Sequence, residues 1–274
     1  MSRIYEALRR TELEHRSPSS AESHKTEPVE FLQSFAPGTL EFRGAPPLNI
    51  QVSRASRLTA LTEPKGLGAE KFRALAMRLE HLRQQKDMKS VQVTSGGLHE
   101  GKTWLAMNLA VTFAQNSQSK VLLVDGDLHR PAVASRLGLP RLPGISRWWS
   151  GPDKDLSGYV YQVTGLSLWI LPAGTAYEQP SNILRSVRFA EALFSLQGTF
   201  DWILVDSPPL LPFVDANLWS RLTDGMLLVV RENVTSLNAL KKGLEAIDNL
   251  NVIGSVFNDA RELEPHKRDD LAGR

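Results

Sequence analysis

The sequence predicts an α/β protein with a doubly wound, mostly parallel sheet flanked by helices. Short runs of almost continuously apolar residues alternate with helical segments, which is typical of parallel strands joined by crossover helices. Because these runs are apolar throughout, we expect strands that are buried on both faces of the sheet. In open sheets of this kind, ligands bind at the carboxyl ends of the strands.

The predicted elements follow one another along the middle of the chain. An amphipathic helix runs from about Ala69 to Gln85. The later segments are, in order, VQVT (91–94), a glycine-rich turn, the helix LAMNLAVTFAQ (105–115), VLLVD (121–125), a short helical region, LSLWILP (166–172), a helix near 181–197, WILVD (202–206), MLLVV (226–230), the helix LNALKKGLEAI (237–247) and VIGSVF (252–257).

The two ends of the chain have a different character. Residues 1–14 place Ile4, Tyr5 and Leu8 on one face of a short helix, which is either a frayed end or a docking segment that folds on a partner. Residues 15–56 are predicted to be a flexible linker, because they are rich in Ser, Pro, Gly and charge. Residues 261–274 are predicted to be a flexible tail, and residues 57–260 to form the folded domain.

Composition excludes several classes of function. The formal charge of the 274 residues is only +2, so nucleic acid is not an expected partner. The absence of cysteine excludes disulfides, thiolate metal sites and cysteine nucleophiles. No apolar run approaches the ~18 to 20 residues that span a bilayer, and the charged start lacks a secretory signal. We therefore expect a cytoplasmic protein without a membrane span, which reaches the inner membrane only through a partner.

A phosphate-binding motif follows the first predicted core strand. Residues 96–103 read GGLHEGKT and match G-x-x-x-x-G-K-[ST], with a strand before and a helix after. The glycines let backbone N–H groups turn inward, and the helix start adds partial positive charge. Lys102 should reach the β- and γ-phosphates of ATP, and Thr103 should bind Mg²⁺. The predicted nucleotide-binding residues are Gly96, Gly97, Glu100, Gly101, Lys102, Thr103 and Asn258.

Acidic residues end two other predicted strands. Asp125 and Asp127 are at alternate positions, so both carboxylates can face one site. Asp206 ends WILVD, the usual place for an acid that holds Mg²⁺. The predicted metal ligands are Thr103, Asp127 and Asp206, although DGD is also good turn chemistry.

Two further polar residues are open to a structural or a functional role. Asp215 precedes a predicted helix and could cap it. Asn258 follows VIGSVF, where its amide could read adenine or simply belong to a turn.

With these motifs in place, the chain resembles the bacterial tyrosine kinases of capsule and exopolysaccharide systems, in their stand-alone cytoplasmic form. These are P-loop proteins related to the MinD/ParA ATPases. The resemblance covers roughly residues 57–259 and rests on RLTALTEP, EKFRAL, VTSGGLHEGKT, VLLVDGDLHRP, LPAGTAYEQPSNIL, FDWILVDSPPLLPFVDA and VIGSVFN. It implies transfer of the ATP γ-phosphate to tyrosine, a membrane chain-length regulator as activating partner, and assembly into a homo-oligomer.

The resemblance also implies residue roles. Lys102 and Thr103 match the phosphate-loop lysine and metal hydroxyl, and Asp206 matches the acid of the third motif. Asp125 matches the acid that helps to deprotonate the acceptor tyrosine, and Asp127 matches the second acid of that motif. The expected catalytic residues are therefore Lys102, Asp125 and Asp127.

The sequence departs from the family pattern in three places. His129 stands where D-x-D-x-R has arginine, with Arg130 one residue later. In the helix motif E-x-x-R-x-x-R, Glu70 and Arg73 match but Ala76 replaces the last arginine. The tail has no tyrosine cluster, and the four tyrosines of the chain are Tyr5, Tyr159, Tyr161 and Tyr177.

Three functional hypotheses follow from this pattern. The first is a tyrosine kinase that acts on another protein or on Tyr5. The second is an ATP-dependent switch with weak or no kinase activity, which docks on a membrane chain-length regulator. The third is a positioning ATPase of the ParA/MinD type, although the loop begins S-G-G here rather than K-G-G.

Overall fold

The structure is a computed structural model that describes residues 47–50, 52, 56–115, 119–153, 155–247 and 251–260. The candidate docking segment 1–14, nearly all of the linker 15–56 and the tail 261–274 lie outside these residues. The predictions for those three segments therefore remain predictions.

In the described part of the chain, seven strands form one sheet. They are β1 (Ser90–Ser95), β2 (Val121–Asp125), β3 (Tyr161–Gln162), β4 (Leu168–Leu171), β5 (Trp202–Asp206), β6 (Gly225–Arg231) and β7 (Val252–Asn258). Their order across the sheet is β3-β4-β2-β5-β1-β6-β7. All neighbouring pairs are parallel except β3 with β4. The predicted doubly wound, mostly parallel sheet is confirmed.

Nine α-helices accompany the sheet in the described part of the chain. They are α1 (Thr59–Thr62), α2 (Leu67–Lys86), α3 (Lys102–Ala114), α4 (Val133–Arg136), α5 (Ile145–Ser150), α6 (Pro180–Leu184), α7 (Val187–Gln197), α8 (Asp215–Ser220) and α9 (Leu237–Glu245). A short 3₁₀ helix covers Leu156–Tyr159. Among the helices described, none is long and apolar enough to cross a bilayer.

Successive residues of the central strands enter two separate cores. In β5, Trp202 and Leu204 pack in a cluster with residues of α2 and α3, whereas Ile203 and Val205 pack in a cluster with residues of α7. This alternation is the period-2 geometry of a strand with helices on both faces. It explains why the strand sequences are apolar at every position.

The helix predicted near 181–197 is wrong in one respect, because the structure has two helices there. α6 ends at Leu184, and α7 begins at Val187 after Ser186. The Ser186 side chain accepts a hydrogen bond from the Phe189 backbone N–H, which caps α7 and starts a new helix. The apolar residues keep a helical spacing throughout this segment, but the capping serine divides it into two helices.

Candidate functional site

The phosphate loop joins β1 to the start of α3. Gly101 has a φ of 101°, a conformation that favours glycine, and a Cβ there would collide with the Asn258 amide. The side chains of Lys102 and Thr103 are buried at the first two positions of α3. The loop therefore presents backbone N–H groups and a helix start to the same point.

The Glu100 side chain is buried and hydrogen-bonds to the backbone of the phosphate loop. Its carboxylate accepts hydrogen bonds from the backbone of Gly96 and Gly97 and from Thr235, and these bonds oppose the rise in the Glu100 pKa that burial causes. Asn258 donates from Nδ2 to the Glu100 carbonyl at 2.9 Å. Both residues thus contact the loop itself, and their predicted contacts with a nucleotide remain predictions.

The three predicted acids meet beside Lys102 at the carboxyl edge of the sheet. Asp125 and Asp206 are register partners on the adjacent strands β2 and β5. Asp127 Oδ2 lies 3.7 Å from Lys102 Nζ. Asp127 Oδ1 accepts from the backbone N–H of Arg130 at 3.0 Å. The structure therefore brings together the acids and the lysine that the sequence singled out.

Burial controls the charge state of two of these acids. It raises the pKa of Asp206 to about 6, while the positive charge of Lys102 opposes the rise. Burial also raises the pKa of Asp125 well above its usual range, and the charge of Asp206 adds to this rise. Two close, desolvated carboxylates favour protonation in the absence of a cation.

The donor set at this point fits a hard divalent cation. Both carboxylate oxygens of Asp206 and Oδ1 of Asp125 are buried without a hydrogen-bond partner among the described residues. Within the same residues, no three acidic or histidine side chains form a closed metal cage. Mg²⁺ usually takes one or two carboxylates and completes its shell with water and phosphate oxygens, so an open set of this kind suits it.

A cleft of about 570 Å³ opens over the phosphate loop. Its lining includes Gly101, Lys102, Thr103 and Asn258, as expected. It also includes three arginines that were not among the predicted site residues: Arg57, Arg136 and Arg231. Positive charge in a cleft of this size suits a polyanionic ligand.

Two of these arginines are fixed by neighbouring groups. Arg57 has a φ of 52°, and its carbonyl accepts from Trp104 Nε1 at 2.8 Å and Asn108 Nδ2 at 3.1 Å. Arg231 pairs with Asp259 at 3.0 Å and donates to the His99 carbonyl in the phosphate loop. Both sets of contacts join residues that are distant in sequence, so no local motif indicates them.

The prediction that Asp215 caps a helix is wrong. Helix α8 begins at Asp215 itself, with Val214 in the cap position and no side-chain capping bond. The Asp215 carboxylate instead lies 2.6 Å from His129 Nε2, and the His129 ring stacks on Phe213. His129 is thereby held against the segment that follows β5.

The other two departures from the family pattern also have structural counterparts. Ala76 is on the buried face of α2, whereas Glu70 and Arg73 pair with each other on the exposed side of that helix. Tyr159, Tyr161 and Tyr177 are absent from the lining of the cleft. Tyr5 lies outside the described residues.

Comparison with known proteins places this fold and site. No family model matches the chain. Tyrosine-protein kinase YwqD of Bacillus subtilis is 30% identical over 223 residues, which cover 79% of this chain and 93% of that protein. The succinoglycan biosynthesis transport protein ExoP of Rhizobium meliloti is 30% identical over 80% of this chain but only 28% of its own length.

Solved structures agree with these relatives. The chimerical protein CapA2B2 is 28% identical, covers 78% of this chain and 93% of its own, and has a TM-score of 0.69. The cell division ATPase MinD of Pyrococcus furiosus is 24% identical over 62% of this chain and 70% of its own, with a TM-score of 0.51, and shares the fold alone.

The sheet, the loop after β1 and the acids after β2 and β5 define a P-loop nucleotide-binding protein. Within that class, the chain belongs to the bacterial tyrosine kinase family.

Proposed function

We propose that the chain is a protein-tyrosine kinase that uses Mg-ATP and acts in the assembly or export of a polysaccharide. The observation that carries this proposal is the meeting of Lys102 with Asp127, beside Asp125 and Asp206, whose three buried oxygens have no hydrogen-bond partner among the described residues. The kinase name of YwqD and the polysaccharide role in the name of ExoP support the same activity and process. The likeness to MinD supports the third hypothesis, a positioning ATPase, only at the level of fold.

The chain's own residues account for each part of the transfer. The loop N–H groups and Lys102 would hold the phosphates. Thr103, Asp127 and Asp206 would hold Mg²⁺, which would supply positive charge to offset that of the transferring phosphoryl group. Asp125 Oδ2 is committed to the backbone N–H groups of Ala132 and Val133, which leaves Oδ1 for the acceptor. The tyrosine oxygen bonds to the γ-phosphorus and its proton passes to Asp125. The bond from that phosphorus to the β–γ bridging oxygen breaks, and ADP leaves with the electron pair.

Phosphotyrosine formation tests this proposal. The purified chain would be incubated with Mg-ATP, with and without a cytoplasmic segment of a polysaccharide-export membrane protein, and every tyrosine would be examined by mass spectrometry. We expect phosphotyrosine on Tyr5 or on the partner, because the three described tyrosines do not line the cleft. Lys102→Met should abolish the label. Labelling that survives this substitution would overturn the site assignment.

A second candidate function is favoured by one observation, the engagement of His129 with Asp215 rather than with the cleft. In this alternative the chain binds ATP and docks on a membrane chain-length regulator without transferring phosphate. It requires different affinities for the partner in the ATP and ADP states. Titration of the partner segment with each nucleotide separates the two candidates, since equal binding in both states would exclude the switch.

A further inference from the structure

Arg136 is the last residue of α4 and lines the cleft together with Gly101, Lys102 and Thr103. Its side chain is exposed, and it forms no ion pair with any carboxylate of the described residues. Arg231, by contrast, is paired with Asp259. Arg136 therefore brings a positive charge, unpaired by any described carboxylate, to the cleft that contains the phosphate loop.

The position of Arg136 is tied to the acids of the site. Asp125 Oδ2 accepts hydrogen bonds from the backbone N–H groups of Ala132 at 3.1 Å and Val133 at 3.0 Å, at the start of α4. One turn later, the Arg136 backbone N–H donates to the Ala132 carbonyl at 3.0 Å. The buried Val133 and Leu137 anchor the helix on the core. The end of β2 thus fixes the point from which the Arg136 side chain leaves the backbone.

Two other basic residues precede Arg136 in the segment after β2, and both are directed away from the cleft. His129 is bound to Asp215 and stacked on Phe213. Arg130 is exposed, and neither residue is part of the cleft lining. Burial raises the pKa of Asp206, and the positive charge of Arg136 is among the effects that oppose this rise. Of the basic residues His129, Arg130 and Arg136, only Arg136 lines the cleft that contains the phosphate loop.

We propose that Arg136 binds the γ-phosphate of ATP and so makes the chain distinguish ATP from ADP. The proposal rests on the proposed function, because it assumes that ATP occupies the cleft. A guanidinium group presents a planar fork of N–H donors that matches two oxygens of one phosphate. The loop N–H groups serve the α- and β-phosphates, and Lys102 serves the β- and γ-phosphates. Arg136 would add a second cation at the γ-phosphate alone, so its loss should affect ATP much more than ADP.

Nucleotide affinity measures this role without any need for turnover. The dissociation constants of the full chain for Mg-ADP and for the Mg complex of β,γ-imido-ATP would be measured by isothermal titration calorimetry. Arg136→Ala should weaken binding of the ATP analogue about ten- to hundred-fold, the usual range for a charged hydrogen bond. Binding of ADP should change by less than about three-fold, because ADP lacks the group that Arg136 contacts. Arg136→Lys should retain part of the preference, since lysine keeps the charge but not the fork.

Arg130→Ala is the matched control, because it removes an exposed arginine of the same segment that does not line the cleft. It should leave both affinities unchanged. Equal weakening of ADP and analogue by Arg136→Ala would overturn the proposal and assign Arg136 to general attraction of anions. Unchanged binding of both nucleotides would also overturn it. A wild-type chain that binds neither nucleotide would contradict the proposed function itself, whereas nucleotide binding that is insensitive to Arg136 contradicts only this inference.

Discussion

Asp206 shows most directly that the site is arranged for a ligand rather than for stability. When the pKa of a carboxyl group is higher in the folded than in the unfolded state, binding of its proton stabilises the fold. That contribution is present below the unfolded value of 3.8 and is lost as the pH rises through about 6. In the absence of metal and nucleotide, the ionised group at pH 8 should therefore cost about 3 kcal/mol of folding free energy.

Asp206→Asn tests this cost. Without metal and nucleotide, we expect the substitution to raise the free energy of unfolding by up to about 3 kcal/mol at pH 8 and by about half as much at pH 5. Urea unfolding at the two pH values measures the difference. The exposed Glu245→Gln serves as the control and should show no such trend. An equal effect of Asp206→Asn at both pH values would show that the ionised carboxylate is not the cause.

Gly101 is a second residue whose role depends on its exact geometry. Gly101→Ala places a methyl group against the Asn258 amide at a φ that alanine rarely adopts, so we expect a loss of about 1–3 kcal/mol in stability. Nucleotide affinity should fall as the loop distorts. Gly158→Ala is the matched control, because a Cβ there meets no atom within 4 Å. Calorimetric unfolding and nucleotide titration of both variants would check this, and equal behaviour would contradict it.

The sequence was sufficient to predict those site residues that lie at the end of an apolar strand or in the turn that follows it. Lys102, Thr103, Asp125, Asp127 and Asp206 all follow apolar strands, and the parallel sheet brings such ends to one edge. Arg136 and the His129–Asp215 pair were not predictable in this way. Their contacts depend on how loops fold over the edge of the sheet, where no periodic pattern applies.

At the scale of elements, the His129–Asp215 contact joins the segment after β2 to the start of α8 after β5. His129→Ala leaves the buried Asp215 carboxylate without this partner and should cost about 1–3 kcal/mol at pH 7. A double-mutant cycle with Asp215→Asn, measured by urea unfolding, isolates the pairwise term. The exposed Lys241–Glu245 pair is the reference and should give less than about 0.5 kcal/mol. Equal coupling in the two cycles would argue against a structural role for His129.

The elements themselves were predictable to different degrees. The fully buried strands β2 and β5 were identified at their structural bounds, because burial on both faces leaves a continuous apolar run in the sequence. The antiparallel β3 was missed, since it contains only Tyr161 and Gln162. The break between α6 and α7 was missed because apolar residues on both sides keep a helical spacing, and only the capping serine separates them.

At the scale of the whole molecule, ligand binding should stabilise the fold, because the site joins β1, β2 and β5. Mg-ATP at about one hundred times its dissociation constant should add about 2.7 kcal/mol to the free energy of unfolding. Thermal unfolding with and without nucleotide measures this gain. Lys102→Met should abolish the gain, whereas Lys241→Met, on an exposed face of α9, should retain it. A gain that survives Lys102→Met would place the nucleotide elsewhere.

The register of β2 and β5 has a consequence for how the protein is made. Asp125 and Asp206 are neighbours only because β5 lies between β2 and β1 in the sheet, although it follows both of them in the chain. During synthesis, the phosphate loop emerges well before the strand that completes the proposed metal site. A nascent chain that ends before β5 lacks Asp206. We therefore expect tight Mg-dependent nucleotide binding only after β5 has inserted between β2 and β1.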